Sequence, residues 1–142
     1  MSEETKIVQE TKSSSGPVWT TGKRKTSIAR VRMLPGSGKM LVNSLELDKY
    51  FKSLKPKSEV VKPIQFIGEA SKFDYHINVR GGGSSGQSEA IKLAISRALC
   101  TIGETVKKKL RDNGFLTRDS RIVERKKPGQ PKARKKFQWT KR

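Results

Sequence analysis

The sequence predicts one small domain of mixed strands and helices, followed by an extended basic tail. Three observations carry that reading. Residues 26–33 and 73–80 alternate apolar and polar side chains at period two, as half-buried strands do. Residues 91–102 place apolar side chains at i, i+3, i+4 and i+7, the spacing of an amphipathic helix. The last eighteen residues hold nine bases and no acid, with Pro128, Gly129 and Pro131 among them, so they form neither helix nor strand.

The elements follow in order. Residues 1–18 have no apolar period and read as a disordered extension. The body spans 19–124. Thr26–Met33 is a strand with Ala29, Val31 and Met33 inward and Arg30 and Arg32 outward. Pro35-Gly-Ser-Gly38 is a turn, and Lys39–Val42 reads as the return strand of a hairpin. Ser44 is placed to cap a short helix that turns Leu47, Tyr50, Phe51 and Leu54 inward. A second short helix starts near Ser58 and lines up Val60, Val61, Ile64 and Ile67, with Pro63 interrupting it. Phe73–Arg80 is the clearest strand. Beyond Gly81–Gly86 comes the clearest helix, through Ile91, Ala94, Ile95, Ala98, Leu99 and Ile102. Leu93 and Cys100 lie on its other side, and Gly103 ends it. Val106–Leu110 is a last short helix before Asp112-Asn-Gly114.

Composition narrows the function. Apolar residues are 32% of the chain, against roughly 45–50% in ordinary globular proteins. The core is therefore small. Thirty-two Lys and Arg against thirteen Asp and Glu give a net charge of +19, which calls for a polyanion. Nucleic acid fits better than an acidic substrate or a membrane surface. One cysteine excludes a disulfide framework, and one cysteine with one histidine excludes the usual zinc clusters. No apolar run approaches the ~18 residues of a membrane span, and the acidic start lacks the order of a secretory signal. The chain reads as soluble and intracellular.

The charge is unevenly spread. Residues 1–18 carry −1, residues 19–124 carry +11 and residues 125–142 carry +9. At roughly 3.3 Å per residue the tail reaches about 60 Å when extended. Phe137 and Trp139 stand among its cations, where aromatic faces stack on bases while Arg125, Lys126, Lys127, Lys132, Arg134, Lys135 and Lys136 neutralise phosphates.

Two enzyme signatures overlap in the glycine loop. Gly81, Gly83 and Gly86 satisfy the dinucleotide pattern, but the helix after them runs into Glu104-Thr-Val-Lys-Lys-Lys-Leu-Arg, more helix rather than a strand ending in an acid. Gly82-Gly-Ser-Ser-Gly86 satisfies the nucleophile elbow with Ser84, but no histidine follows Ser84 and His76 precedes it. Cys100 reads as a small packing residue. What remains for Gly81, Gly82, Gly83, Ser84, Ser85 and Gly86 is a phosphate-binding turn at a helix N-terminus, or a turn whose glycines allow tight packing. No catalytic residue, metal ligand, cofactor or small-molecule substrate is expected.

Five motifs occur in order: Gly22-Lys-Arg-Lys-Thr-Ser-Ile-Ala-Arg-Val-Arg32, Asn78-Val-Arg-Gly-Gly-Gly-Ser-Ser-Gly-Gln87, Gly114-Phe-Leu-Thr-Arg-Asp119, Val123-Glu-Arg-Lys-Lys127 and Gln138-Trp-Thr-Lys-Arg142. Over residues 19–142 the chain resembles the small-subunit ribosomal protein family nine, in its bacterial and organellar form. The resemblance implies an α+β fold: a small sheet with helices packed on it and a left-handed β-α-β crossover, like the second domain of small-subunit ribosomal protein five. It implies a structural constituent of the small subunit, bound to ribosomal RNA in the head beside neighbouring head proteins. Lys23, Arg24, Lys25, Arg30, Arg32, Arg80, Arg118 and Arg121 would be RNA contacts on the body, joined by the tail bases, Phe137 and Trp139. Lys141 and Arg142 would touch peptidyl-site tRNA. The location implied is the cytoplasmic ribosome, or an organellar one. The chain departs from the family pattern at Trp139 and Thr140 (Phe and Ser expected), at Ser84 (Leu expected) and in its tail prolines. The alternative is a free-standing basic nucleic-acid-binding protein outside the ribosome.

Overall fold

The computed structural model of the chain describes residues 16–68 and 72–141. Of the extension expected over 1–18, residues 1–15 lie outside the described residues, as does the tRNA contact expected at Arg142, and the expectation fails at Val18, which pairs with Met33 as the first residue of a strand. Five strands form one mixed sheet: β1 (Val18–Arg24), β2 (Ser27–Pro35), β3 (Met40–Val42), β4 (Leu45–Glu46) and β5 (Phe73–Arg80), in the order β1-β2-β5-β3-β4. The helices are α1 (Leu47–Tyr50), α2 (Leu54–Ile67), α3 (Ser84–Leu99) and α4 (Glu104–Asp112).

Alternation places the core where period two requires. Ala29, Val31 and Met33 of β2 and Tyr75, Ile77 and Val79 of β5 are all at most 4% exposed, and they face α3. Helix α3 brings Ile91, Ala94, Ile95, Ala98 and Leu99 onto that face, and α2 packs beside it through Val60. Leu93 and Cys100, expected on its far side, are buried and half-buried.

Strand β1 is absent from the periodicity reading, and its inward face explains why. Val18, Thr20, Gly22 and Arg24 point inward, and only the first is apolar. β1 lies so close to α3 that a Cβ at Gly22 would overlap the Ala90 carbonyl and come within 2.7 Å of the Ala94 nitrogen. Thr20 Oγ1 donates to the Ala94 carbonyl at 2.8 Å. β1 and β2 join through Lys25 and Thr26, with Lys25 in the left-handed region at φ 50°.

Residues 39–42 do not return along β2. β5 lies between them, antiparallel to β2 and parallel to β3. The cause is Asp74 of β5, whose Oδ1 accepts the amides of Ser37 (2.8 Å) and Lys39 (2.9 Å), so the turn wraps around β5 and β3 emerges beyond it. Those amides hold the Asp74 carboxyl below its ordinary range, Lys39 contributing most. Ser44 is likewise not a helix cap. Asn43 (φ 47°) and Ser44 (φ 68°) form the two-residue turn between β3 and β4, and Glu46 precedes α1. Leu54, expected inward, is 81% exposed at the start of α2, and that helix continues through buried Pro63. Helix α3 stops at Leu99, and Gly103 opens α4.

Candidate nucleic-acid interface

Helices cover one side of the sheet, and among the described residues its other face is open. The strand registers align Trp19, Arg32, His76 and Leu41 across four strands, and Thr21, Arg30 and Asn78 in the next row. Arg30, Arg80 and Lys23 are exposed on this face, as is Lys25 in the turn at its end. Trp19 is 65% exposed, and the Arg32 guanidinium lies 5.5 Å from its ring centroid, within cation–π range. Of the acids in outward register, Asp74 is engaged by loop amides and Glu46 pairs with Lys49 at 3.0 Å. The free charge on this face is positive. Trp19 is missing from the site that the basic motifs outline, because only the placement of β1 brings it beside Arg30 and Arg32.

Arg24 sits apart from the other expected RNA contacts. It is 8% exposed, and its guanidinium is committed inside the protein: Nε to Glu89 Oε2 (2.5 Å), Nη2 to Asp119 Oδ2 (2.8 Å) and Nη1 to the Arg121 carbonyl (2.5 Å). Arg121 also donates to Asp119 from its backbone amide (2.9 Å) and its guanidinium (2.8 Å). Asp119 is consequently held far below the usual carboxylate range, first by the Arg121 side chain and then by its amide, and Arg121 is raised in turn. Arg118 Nε reaches the Lys23 carbonyl at 3.4 Å. Arg118 and Arg121 stay exposed, so the root of the tail is fixed to the body with cations turned outward.

The glycine loop is built for close approach. Gly81 (φ 74°) and Gly82 (φ 64°) are left-handed, and a Cβ at Gly82 would overlap Ser27 Oγ. Ser27 Oγ and Gln87 Nε2 both donate to the Gly81 carbonyl. Gly86 is buried, 2.9 Å from Ser27 Oγ by its would-be Cβ. Gly83, Ser84 and Ser85 are exposed where α3 begins. β5 is antiparallel to β2, and α3 leads into α4 without an intervening strand, so the dinucleotide arrangement is not formed. Burial pushes the Cys100 thiol up, away from nucleophile chemistry. Among the described residues no three His, Cys, Asp or Glu side chains gather as metal ligands, and no helix is long and apolar enough to cross a membrane.

Beyond Asn113 no helix or strand occurs among the described residues. Arg125, Lys126, Lys127, Lys132, Arg134, Lys135, Lys136 and Lys141 are all exposed, as are Phe137 (73%) and Trp139 (84%). The path differs from a straight extension over 124–134. Glu124 pairs with Arg134 (2.9 Å) and Lys127 (3.4 Å), and Gly129 turns at φ 71°. Pro128 and Pro131 flank that turn.

Comparison with known proteins agrees with this geometry. The family described as Ribosomal protein S9/S16 matches residues 22–142. Among curated relatives, the small ribosomal subunit protein uS9 of Azobacteroides pseudotrichonymphae is 54% identical over 121 residues, covering 85% of this chain and 94% of the relative. That of Porphyromonas gingivalis is 52% identical with the same coverage. That of Chlorobaculum tepidum is 51% identical over 123 residues, covering 87% of this chain and 95% of the relative. With an α+β domain, a basic sheet face and a cationic C-terminal run in place, and a family match over most of its length, the chain belongs to the ribosomal protein S9/S16 family.

Proposed function

We propose that the chain is a structural constituent of the small ribosomal subunit in the cytoplasm, non-enzymatic like its family. It binds ribosomal RNA of the subunit head through the open sheet face, the tail root and the tail. The tail continues toward peptidyl-site tRNA, where Lys141 and Arg142 meet the tRNA backbone. Neighbouring head proteins take the remaining surface. The β3-to-β5 connection through α1 and α2 is the left-handed crossover that the family resemblance implies.

One observation carries the reading. After Glu124 the chain has no acid, and every described cation of the tail is exposed on a backbone without helix or strand. Such a segment is a poor contributor to a core and a good ligand for phosphates. Contacts to backbone phosphates position a partner without reading its sequence, which suits a site that accepts every tRNA. At the glycine loop, the first amides of α3 have no intrahelical acceptor, so Gly83, Ser84 and Ser85 offer a further phosphate contact.

Deleting Phe137–Arg142 tests the tail assignment. Incorporation into subunits should persist, while peptidyl-site tRNA affinity should fall about tenfold, near the worth of one charge-assisted hydrogen bond. Unchanged tRNA affinity in ribosomes that carry the shortened chain would refute it.

A further inference from the structure

The open sheet face holds two adjoining hollows. The larger, about 340 Å³, lies among Trp19, Arg30, Arg32, His76 and Asn78. The smaller, about 240 Å³, lies among Ile28, Arg30, Asn78 and Arg80. Arg30 and Asn78 stand between them and belong to both. We propose that this face binds two consecutive unpaired RNA nucleotides, the base of the first stacking on Trp19 and that of the second lying over Ile28. The inference rests on the RNA-binding reading above and adds that single-stranded RNA, rather than duplex, is the ligand of this face.

The chemistry of the face selects that ligand. Trp19 is a large apolar ring left 65% exposed in a chain short of apolar residues, and Ile28 is 42% exposed on the neighbouring strand. Duplex phosphates would satisfy the arginines and leave both apolar surfaces in water. An unpaired base covers them, since every base has a π face. Arg32 supplies an independent sign. Its Nε is buried with no hydrogen-bond partner, while its guanidinium lies against the Trp19 ring. A base edge or phosphate oxygen entering the larger hollow gives that donor an acceptor. His76 and Asn78 are exposed on the same face and provide an imidazole and an amide for base edges. Arg30 and Arg80 provide the counter-charge for the linking phosphate. Double-stranded RNA is disfavoured by shape, because its bases are stacked inside the helix, where a ring on the sheet surface does not reach their faces.

The test uses the full chain with Trp139→Phe, which leaves Trp19 as the one tryptophan. Titration with a six-nucleotide single strand of adenylates should quench Trp19 emission. A blunt, GC-rich RNA duplex, compared at equal total phosphate concentration, should bind without quenching it. Trp19→Ala should weaken the single strand about tenfold and leave the duplex unchanged, while Trp19→Phe should restore most of the loss. Trp19 lies on the surface, so the fold survives either replacement. Equal quenching by both RNAs, or an equal effect of Trp19→Ala on both, would overturn the stacking proposal and leave the general RNA-binding reading standing. Binding of both RNAs without any change at Trp19 would also overturn it. Binding of neither RNA would overturn both readings.

Discussion

Arg24 shows what a single side chain in a basic motif does once the fold surrounds it. Lys23 and Lys25 on either side are exposed, but the inward register of β1 turns Arg24 under the tail root, between Glu89 of α3 and Asp119. Its value is positional: it aims Arg118, Arg121 and everything beyond them. Arg24→Gln removes the guanidinium and strands Glu89, so it should destabilise the protein by about 2 kcal/mol, the usual worth of hydrogen bonds to charged groups. Residues 117–121 should lose amide protection in hydrogen exchange before the sheet does. Protection that falls uniformly across the sheet would contradict the anchoring role. The same site has a pH signature. Asp119 is depressed relative to its unfolded value near 3.9, so its contribution is complete above about pH 5 and is lost progressively as pH falls below that. The Arg121 amide donates to Asp119 Oδ1, so its NMR shift should stay flat from pH 8 to about 4.5 and move only in stronger acid. A midpoint at the ordinary aspartate value would remove the argument.

At the scale of elements, what could be read from the chain depended on which force sets each element. β2, β5 and α3 were legible because each buries a regular apolar face, and their inward residues are the expected ones. β1 was not legible, because closeness to α3 rather than apolar burial holds it, and closeness selects small and polar residues. The pairing of β3 departs from its local signal for a different reason. A Pro-Gly-Ser-Gly turn signals a hairpin locally, and nothing local announces that Asp74, thirty-five positions beyond Lys39, will claim its amides. The candidate site divided in the same way. Arg30 and Arg32 follow from alternation, the tail cations from composition, and the burial of Arg24 and the exposure of Trp19 only from the placement of β1. Gly22 is where that placement is set. Gly22→Ala drives a methyl into the Ala90 carbonyl, between two backbones that cannot both move aside, and should cost roughly 1–3 kcal/mol in thermal or urea unfolding. Gly83→Ala is the control, since a Cβ there meets nothing within 4 Å and its φ of −107° suits any residue. Equal stability of the two variants would mean that β1 is not packed as tightly as described.

For the whole molecule, charge and fold are separable. The hydrogen bonds and ion pairs seen for the tail run within residues 124–134, whereas the core is made by the sheet with α2 and α3. Removing 125–142 takes away nine cations and no acid, and takes no buried apolar residue with it. A chain ending at Glu124 should therefore melt at nearly the same temperature as the full chain, or slightly higher, because like charge has been removed. Its RNA binding should change in kind. A protein making about 6–10 phosphate contacts loses about 10³–10⁵ in affinity between 50 and 200 mM salt, and each contact removed lowers the log–log slope by roughly 0.7–0.9. The full chain should show that steep loss. The shortened chain should keep the smaller slope expected of the few cations on the sheet face and tail root, together with the preference for single strands that the face would confer. An unchanged slope after truncation would mean that the tail does not meet phosphates in the isolated complex, and a slope near zero would mean that the sheet face does not. The two outcomes are independent, so one salt titration of two chains decides separately whether the tail and the body bind RNA.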